Sequence, residues 1–323
     1  MRVLVTGIDG FVGSHAAEFL SGLDGVEVHG TILPAGQAKH IEHLRERIHL
    51  HEADIVDEAR IEQVFMNVRP DRVIHLAGQA FVPTSVTDPV GTFRVNVMGG
   101  VAVLDAARLV GERTGKQPAV LVVTTGEVYG KVPRSPVGED APLNPLNPYA
   151  ASKASLDIIA RNYRGTFGVR ATVVRPFNHA GPRQSPVFVA SDFGRQFALI
   201  AEGKAEPVIH AGNLDPERDF TDVRDVVRAY WAVLSHPDRH EVYNVCSGNV
   251  VAVRDLIALY EDVTGIRVTV QTESRRARPN DVAFIAGSFE RLRSATGWAP
   301  AIPLRQTLDD VFAYWRTEVA SSS

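Results

Sequence analysis

The sequence predicts an α/β protein: a doubly wound parallel sheet carrying a smaller C-terminal lobe. Three observations predict it. Short apolar runs alternate with helical patterns through the first half, a glycine-spaced junction follows the first run directly, and the second half is looser and broken by prolines. The runs are Val3-Leu4-Val5, Val26-Glu27-Val28, Val73-Ile74-His75-Leu76, Val120-Leu121-Val122-Val123 and Ala171-Thr172-Val173-Val174. Their alternation with helices implies a buried parallel sheet covered on both faces. Helices are expected at about Val12–Leu20, Ile41–Glu46, Val90–Val110 and Pro148–Phe167. From about Asn178 onward Pro182, Pro186, Pro207 and Pro216 interrupt the segments, which marks a second lobe. The first pattern returns briefly, with a helix at Val223–Leu234 and a strand at Tyr243-Asn244-Val245. The expected division is therefore 1–177 with 222–249 for the sheet domain, and 178–221 with 250–315 for the lobe.

Composition narrows the class. The 323 residues suit two domains or one with an appended lobe. With 45% hydrophobic and 22% charged residues, the chain can bury a sizeable core. A net charge of −4 gives no global pull toward nucleic acid or an anionic membrane, so neither is an expected partner, and any phosphate must be held locally. Cys246 is the only cysteine, which excludes an intrachain disulfide and a thiolate metal cluster and fits a reducing cytoplasm. No metal centre is expected. The amino-terminal apolar run is too short for a secretion signal, and no window approaches the ~18 apolar residues of a membrane helix, so the chain is expected to be soluble.

Thr6-Gly7-Ile8-Asp9-Gly10-Phe11-Val12-Gly13 places three glycines at a spacing of three at the first strand–helix junction. Glycine permits a tight turn there and lets backbone N–H groups approach a pyrophosphate at the positive end of the helix. The loop thus reads as a dinucleotide grip on a Rossmann-like sheet. Asp54-Ile55 and Leu76-Ala77-Gly78 close later strands, where an acid can meet an adenine amine and small residues admit a cofactor. After the second strand, His29-Gly30-Thr31-Ile32-Leu33-Pro34 offers neither an acid for a ribose 2′-hydroxyl nor an arginine for a 2′-phosphate, which leaves NADH and NADPH both open.

Asn147-Pro148-Tyr149-Ala150-Ala151-Ser152-Lys153 carries a cap and a helix-starting proline, then Tyr149 and Lys153 one turn apart on one face. For proton transfer near neutrality a tyrosine must fall from ~10 to ~7, about 4 kcal/mol, which a nearby ammonium could supply. With seven tyrosines and five lysines in the chain, Y-x-x-x-K is expected about 0.1 times by chance; it occurs once, in the expected place. Upstream, Thr124-Thr125-Gly126-Glu127-Val128-Tyr129-Gly130 can bring a hydroxyl to the same centre.

Taken together these motifs resemble the extended short-chain dehydrogenase/reductases that act on nucleotide sugars. The likeness spans Thr6 to Gly13, Asp54-Ile55, His75-Leu76-Ala77, Phe93 to Val97, Thr125 and Tyr149 with Lys153. It implies Tyr149 as acid/base, Lys153 as its pKa-lowering partner, Thr125 as the substrate-orienting hydroxyl, and Asn96 with Lys153 in a proton relay. Gly7, Asp9, Gly10, Phe11, Val12, Thr31, Asp54, Ile55, Leu76, Ala77, Gly78, Asn96, Pro176 and Asn178, with Tyr149 and Lys153, would hold NADPH or NADH. Arg175 to Pro182, Gly212-Asn213-Leu214, Arg218 to Asp225 and Tyr243 to Gly248 resemble the GDP-6-deoxy-4-keto-D-mannose reductases that form GDP-rhamnose. GDP-mannose 4,6-dehydratases share part of this text. By that resemblance Asn178, Arg218 and Arg278 contact the diphosphate of a GDP-linked 6-deoxy-4-keto-hexose, and the chain is a homodimer packed through the Val90 and Tyr149 helices. Arg183 departs from the glycine usual in G-P-G-Q.

Dehydration would require a base and an acid beyond the tyrosine. By the same resemblance Glu127 stands at the base position, whereas Gly126 fills the neighbouring acid position of the nucleoside-diphosphate-glucose dehydratases and has no proton to give; mannose dehydratases lack an aspartate there too, so Gly126 disfavours dehydration without excluding it. Reduction is the expected activity, with 4,6-dehydration the alternative; epimerisation ranks lower because it rests only on the shared core and not on the second-half motifs, and a non-catalytic cofactor-binding role because the Thr125–Tyr149–Lys153 set is complete.

Overall fold

The computed structural model describes residues 1–34, 38–133, 136–273 and 282–321. Strands β1 (Arg2–Thr6), β2 (Glu27–Ile32), β3 (Ile48–Glu52), β4 (Arg72–His75), β5 (Ala119–Val123) and β6 (Arg170–Pro176) are all parallel. After β6 the chain leaves this sheet for β7 (Asn178–Ala180), β8 (Val208–Ala211) and β9 (Glu217–Asp222), then returns with β10 (Val242–Val245), which pairs with β6. The strand order is β10-β6-β5-β4-β1-β2-β3, with the chain reversing direction across the sheet between β1 and β4. Ligands of such sheets bind outside the carboxyl ends of the strands at this switch point.

Strand side chains alternate between faces, and here both faces are apolar. Val3, Val5, Ile74, Leu121 and Val174 pack with α1 (Phe11–Ser21) and, through Tyr230 and Val233, a later helix. Leu4, Val73, Val120, Val122 and Val173 face Phe65, Leu104 and Leu156. These three come from α2 (Glu58–Val68), α5 (Gly99–Thr114) and α6 (Pro148–Phe167); two short helices, α3 (Val82–Thr87) and α4 (Pro89–Phe93), precede α5. Burial of each such side chain contributes ~1.5–3 kcal/mol.

Two expected helices differ in detail. The segment near Ile41–Glu46 forms only a 3-10 stretch, Lys39–Leu44, because β3 begins at Ile48 and leaves no length for an α-helix. Val90–Val110 is interrupted by a π-helical turn, Arg94–Met98, between α4 and α5. In addition, α2 was not foreseen, although Ile61, Val64, Phe65 and Val68 carry the helical spacing and are all buried.

The remaining elements are α7 (Val189–Ala201), α8 (Val223–Ser235), β11 (Val250–Ala252), α9 (Val253–Thr264), β12 (Thr269–Thr272), β13 (Phe284–Ile285), α10 (Glu290–Thr296) and α11 (Leu304–Ser321). Strand β9 pairs with β7, β11 and β13, and β8 with β12. Phe193, Phe197, Tyr260, Leu308 and Val311 form a separate core among α7, α9 and α11. A buried polar network locks α6 against β6. Arg175 donates to both oxygens of Asp157 at 2.7 and 3.2 Å and to the Tyr129 hydroxyl at 2.8 Å. Tyr129 in turn donates to Asn244 at 2.7 Å.

Candidate active site

The site begins at the end of β1. Gly7 takes φ +67°, and its amide donates to the Thr31 carbonyl at 3.1 Å and hydroxyl at 3.2 Å. A Cβ at Gly13 would stand 2.2 Å from the Gly7 carbonyl oxygen, so only glycine lets α1 approach the loop this closely. Gly10 caps α1 without a side chain, and Phe11 and Val12 open the helix. The result is an uncovered helix N-terminus, the geometry that receives phosphate. Thr6 fixes the facing edge: its hydroxyl accepts from the amides of Leu76 and Ala77 at 3.1 and 3.2 Å. Asp9, Leu76 and Ala77 are half-buried beside the loop, and Gly78 is exposed. These residues fit a nicotinamide dinucleotide. Thr31 and Pro176 are buried and shape the loop and sheet end from below; Asp54 accepts from the Val56 amide at 3.1 Å, and Ile55 packs under Gly99.

Asn96 sits on the π-turn. Its side chain accepts from the Gln79 amide at 2.8 Å and donates to the Gln79 carbonyl and to Ser152 Oγ, both at 2.9 Å. Ser152 donates to the Tyr149 carbonyl at 2.7 Å, so the π-turn and the first turn of α6 are tied together. Ser152 lies inside the tyrosine–lysine motif, yet only the structure shows that it carries this link. At Gly78 a Cβ would lie 2.9 Å from Asn96 Oδ1 and 3.5 Å from Lys153 Nζ, so the missing side chain keeps the approach to both open.

Helix α6 starts with Asn147, which accepts from the Ala150 amide at 2.8 Å, followed by Pro148. The same Asn147 donates to Glu127 Oε2 at 3.0 Å, so the helix cap also holds the carboxylate. Tyr149 and Lys153 are both buried. Lys153 donates to the Val123 carbonyl at 3.0 Å, and burial lowers its amine to about 8. Tyr149 corrects an expectation. Burial pushes its phenol above the usual value, the Glu127 carboxylate adds to this, and a hydrogen bond with Thr125 opposes it. Lys153 does not reverse the balance; its ammonium donates instead to the Val123 carbonyl. A further hydroxyl the motifs did not signal is that of Tyr230, which is buried without a hydrogen-bond partner among the described residues and feels Tyr149 electrostatically.

On the second half, β7 sets Asn178 opposite Phe220 of β9, two residues from Arg218. Arg278 lies outside the described residues. Arg183, with φ +73°, reaches back to α1: it donates to both Glu18 oxygens at 2.7 Å, and His15 Nδ1 stands 2.8 Å from its Nη2. In place of a glycine turn, this chain has a cation that fastens the second half to α1.

A parallel switch-point sheet, a glycine-lined helix N-terminus, and a tyrosine–lysine helix beside a strand-end threonine define an extended short-chain dehydrogenase/reductase, an NAD(P)-dependent oxidoreductase. The chain belongs to the family described as GDP-mannose 4,6 dehydratase, which it matches over residues 4–311. It is 33% identical to the GDP-6-deoxy-D-mannose reductase of Pseudomonas aeruginosa over 320 residues, 98% of each chain. It is 30% identical to a GDP-mannose 4,6-dehydratase of Vibrio cholerae, covering 94% of this chain and 91% of that one. The structure of RMD from Pseudomonas aeruginosa complexed with NADPH superposes with a TM-score of 0.85 at 33% identity, covering 98% of this chain and 99% of that one.

Proposed function

We propose that the chain reduces the C4 ketone of GDP-4-keto-6-deoxy-D-mannose to GDP-D-rhamnose. Gly7, Gly10, Phe11 and Val12 would hold the cofactor at α1, and the nicotinamide, when bound, would supply a hydride. Thr125 orients the ketone oxygen. Tyr149 gives its proton to that oxygen, and Lys153, with Asn96 beside it, returns a proton to the phenolate. The high phenol pKa suits this direction, because the tyrosine begins protonated and donates only to a more basic alkoxide. Asn178 and Arg218 bind the diphosphate, as does Arg278.

One observation carries reduction over dehydration. A Cβ at Gly126 would meet the Phe177 ring at 3.0 Å, so an acidic side chain would fit there only if that ring gave way, and the 33% identity along 98% of the chain to a GDP-6-deoxy-D-mannose reductase points the same way. Glu127 favours a second reading, 4,6-dehydration, since a carboxylate beside Tyr149 is placed to remove a C5 proton. The experiment offers GDP-mannose alone, then the 4-keto sugar with NADPH or NADH, and follows the absorbance of the reduced cofactor. Consumption with the keto sugar supports reduction; conversion of GDP-mannose without net cofactor use supports dehydration and overturns the proposal.

The proposal includes a homodimer. Val90, Phe93, Met98 and Ile158, on α4, the π-turn and α6, are exposed apolar side chains near one another in the fold. Residues 1–177 with 222–249 would form the dinucleotide domain, and 178–221 with 250–315 the sugar-nucleotide lobe. A cytoplasmic setting accords with the buried, unpaired Cys246; among the described residues no helix is long and apolar enough to cross a membrane.

A further inference from the structure

At the opposite edge of the sheet from β10, three histidines and a glutamate meet where no chemistry has been assigned. Glu27 and His29 alternate on β2, His49 and His51 on β3, and the register sets His29 directly opposite His49. Period-2 alternation puts all four on one face. One ligand atom each from Glu27, His29 and His49 lies within 4.8 Å of the other two. Glu27 Oε1 is 3.0 Å from His29 Nε2 and 3.6 Å from His49 Nε2, while the rings of His29 and His49 stack with centroids 4.8 Å apart.

We propose that Glu27, His29 and His49 bind one zinc ion, or a first-row transition ion of like preference, which clips edge strand β3 to β2. Zinc bonds of ~2.0–2.1 Å in a tetrahedron set ligand atoms about 3.3 Å apart, close to the two Glu27 separations. The remaining contraction falls on His49 and Glu27, whose side chains are 60% and 48% exposed and can swing inward. A mixed imidazole and carboxylate set suits zinc, whereas calcium and magnesium require oxygen ligands.

A supporting layer is present. His51 Nε2 stands 3.1 Å from His29 Nδ1. When His29 donates its Nδ1 proton to His51, its Nε2 lone pair faces the Glu27 carboxylate, and a cation between them satisfies both. Arg2 takes the other Glu27 oxygen at 3.6 Å and leaves Oε1 toward the histidines. Two protein nitrogens and one oxygen leave a fourth position for water. No metal was expected from the sequence, because the four residues are spread over two separated strands and only register joins them.

The test uses the full chain without a polyhistidine tag, freed of metal with chelator and titrated with Co²⁺. The expected result is saturation at one ion per chain with the intense visible bands of a tetrahedral or five-coordinate ion, displacement by Zn²⁺, and a rise in melting temperature with either ion. His49→Ala and Glu27→Gln, both at exposed side chains, should each weaken binding more than about tenfold and abolish the rise, while His236→Ala leaves both unchanged. Absence of saturable binding, or binding that both variants retain, overturns the proposal. The metal-free melting temperature of each variant separates lost binding from lost folding.

Discussion

The two ends of the proposed active site, one for the nicotinamide cofactor and one for the sugar nucleotide, are built differently. The nicotinamide end is made of residues close in sequence, Gly7 to Gly13 at one strand–helix junction and Tyr149 to Lys153 on one helical turn, with Thr125 supplied by the neighbouring strand. The sugar-nucleotide end is assembled from separate stretches, as β9 is flanked by β7, β11 and β13. A site made locally is fixed by backbone geometry and tolerates no change there. One made by strand pairing depends on individual side chains, so its substitutions should act on affinity alone.

The sharpest way to break this contrast is at Tyr149. Tyr149→Phe keeps the ring and removes the proton, so kcat for keto-sugar reduction should fall about 10³-fold with cofactor affinity, followed by fluorescence titration, changed far less. Undiminished turnover would remove the basis of the nicotinamide end. Next, Gly13→Ala places a methyl 2.2 Å from the Gly7 carbonyl; moving α1 from the loop should weaken cofactor binding about 100-fold (~2.7 kcal/mol). At the other end, Arg218→Ala should raise KM for the sugar nucleotide about tenfold through a lost phosphate contact, with kcat and cofactor affinity held. A fall in cofactor affinity instead would show that the ends are not separable.

The same contrast governs what could be read in advance. The glycine loop and the helix from Pro148 to Phe167 were legible because turn, cap and reactive residues are contiguous, and α6 has those bounds. Asn96 was named by resemblance, but its partners Gln79 and Ser152 come together only because a π-turn redirects the side chain. The role of Asn147 in holding Glu127, and the reach of Arg183 from the second half to Glu18, depend on tertiary contact over 20 and 165 residues. The acidity of Tyr149 differs from what the helical spacing implies for a related reason. Spacing on a helix shows which side chains share a face, whereas burial and the Val123 carbonyl decide what the ammonium does.

The last test concerns that ammonium and reads the nicotinamide end through pH. Lys153 falls from its ordinary 10.5 to about 8 because burial disfavours its charge. If the cation serves proton return, kcat/KM should decline above pH 8, approaching tenfold per pH unit, and Lys153→Arg should move that limb beyond the accessible range, since guanidinium does not deprotonate. Stability should move the opposite way. Between pH 8 and 10.5 the unfolded chain holds a proton on Lys153 that the folded chain has released, so stability rises with pH across that window. The cost of the buried charge is present in full below pH 8 and amounts to roughly 3 kcal/mol. Subtracting the pH profile of Lys153→Met removes the other titrating groups. A difference that is flat from pH 8 to 10.5 would mean that Lys153 is solvated, and the buried proton relay would be lost with it.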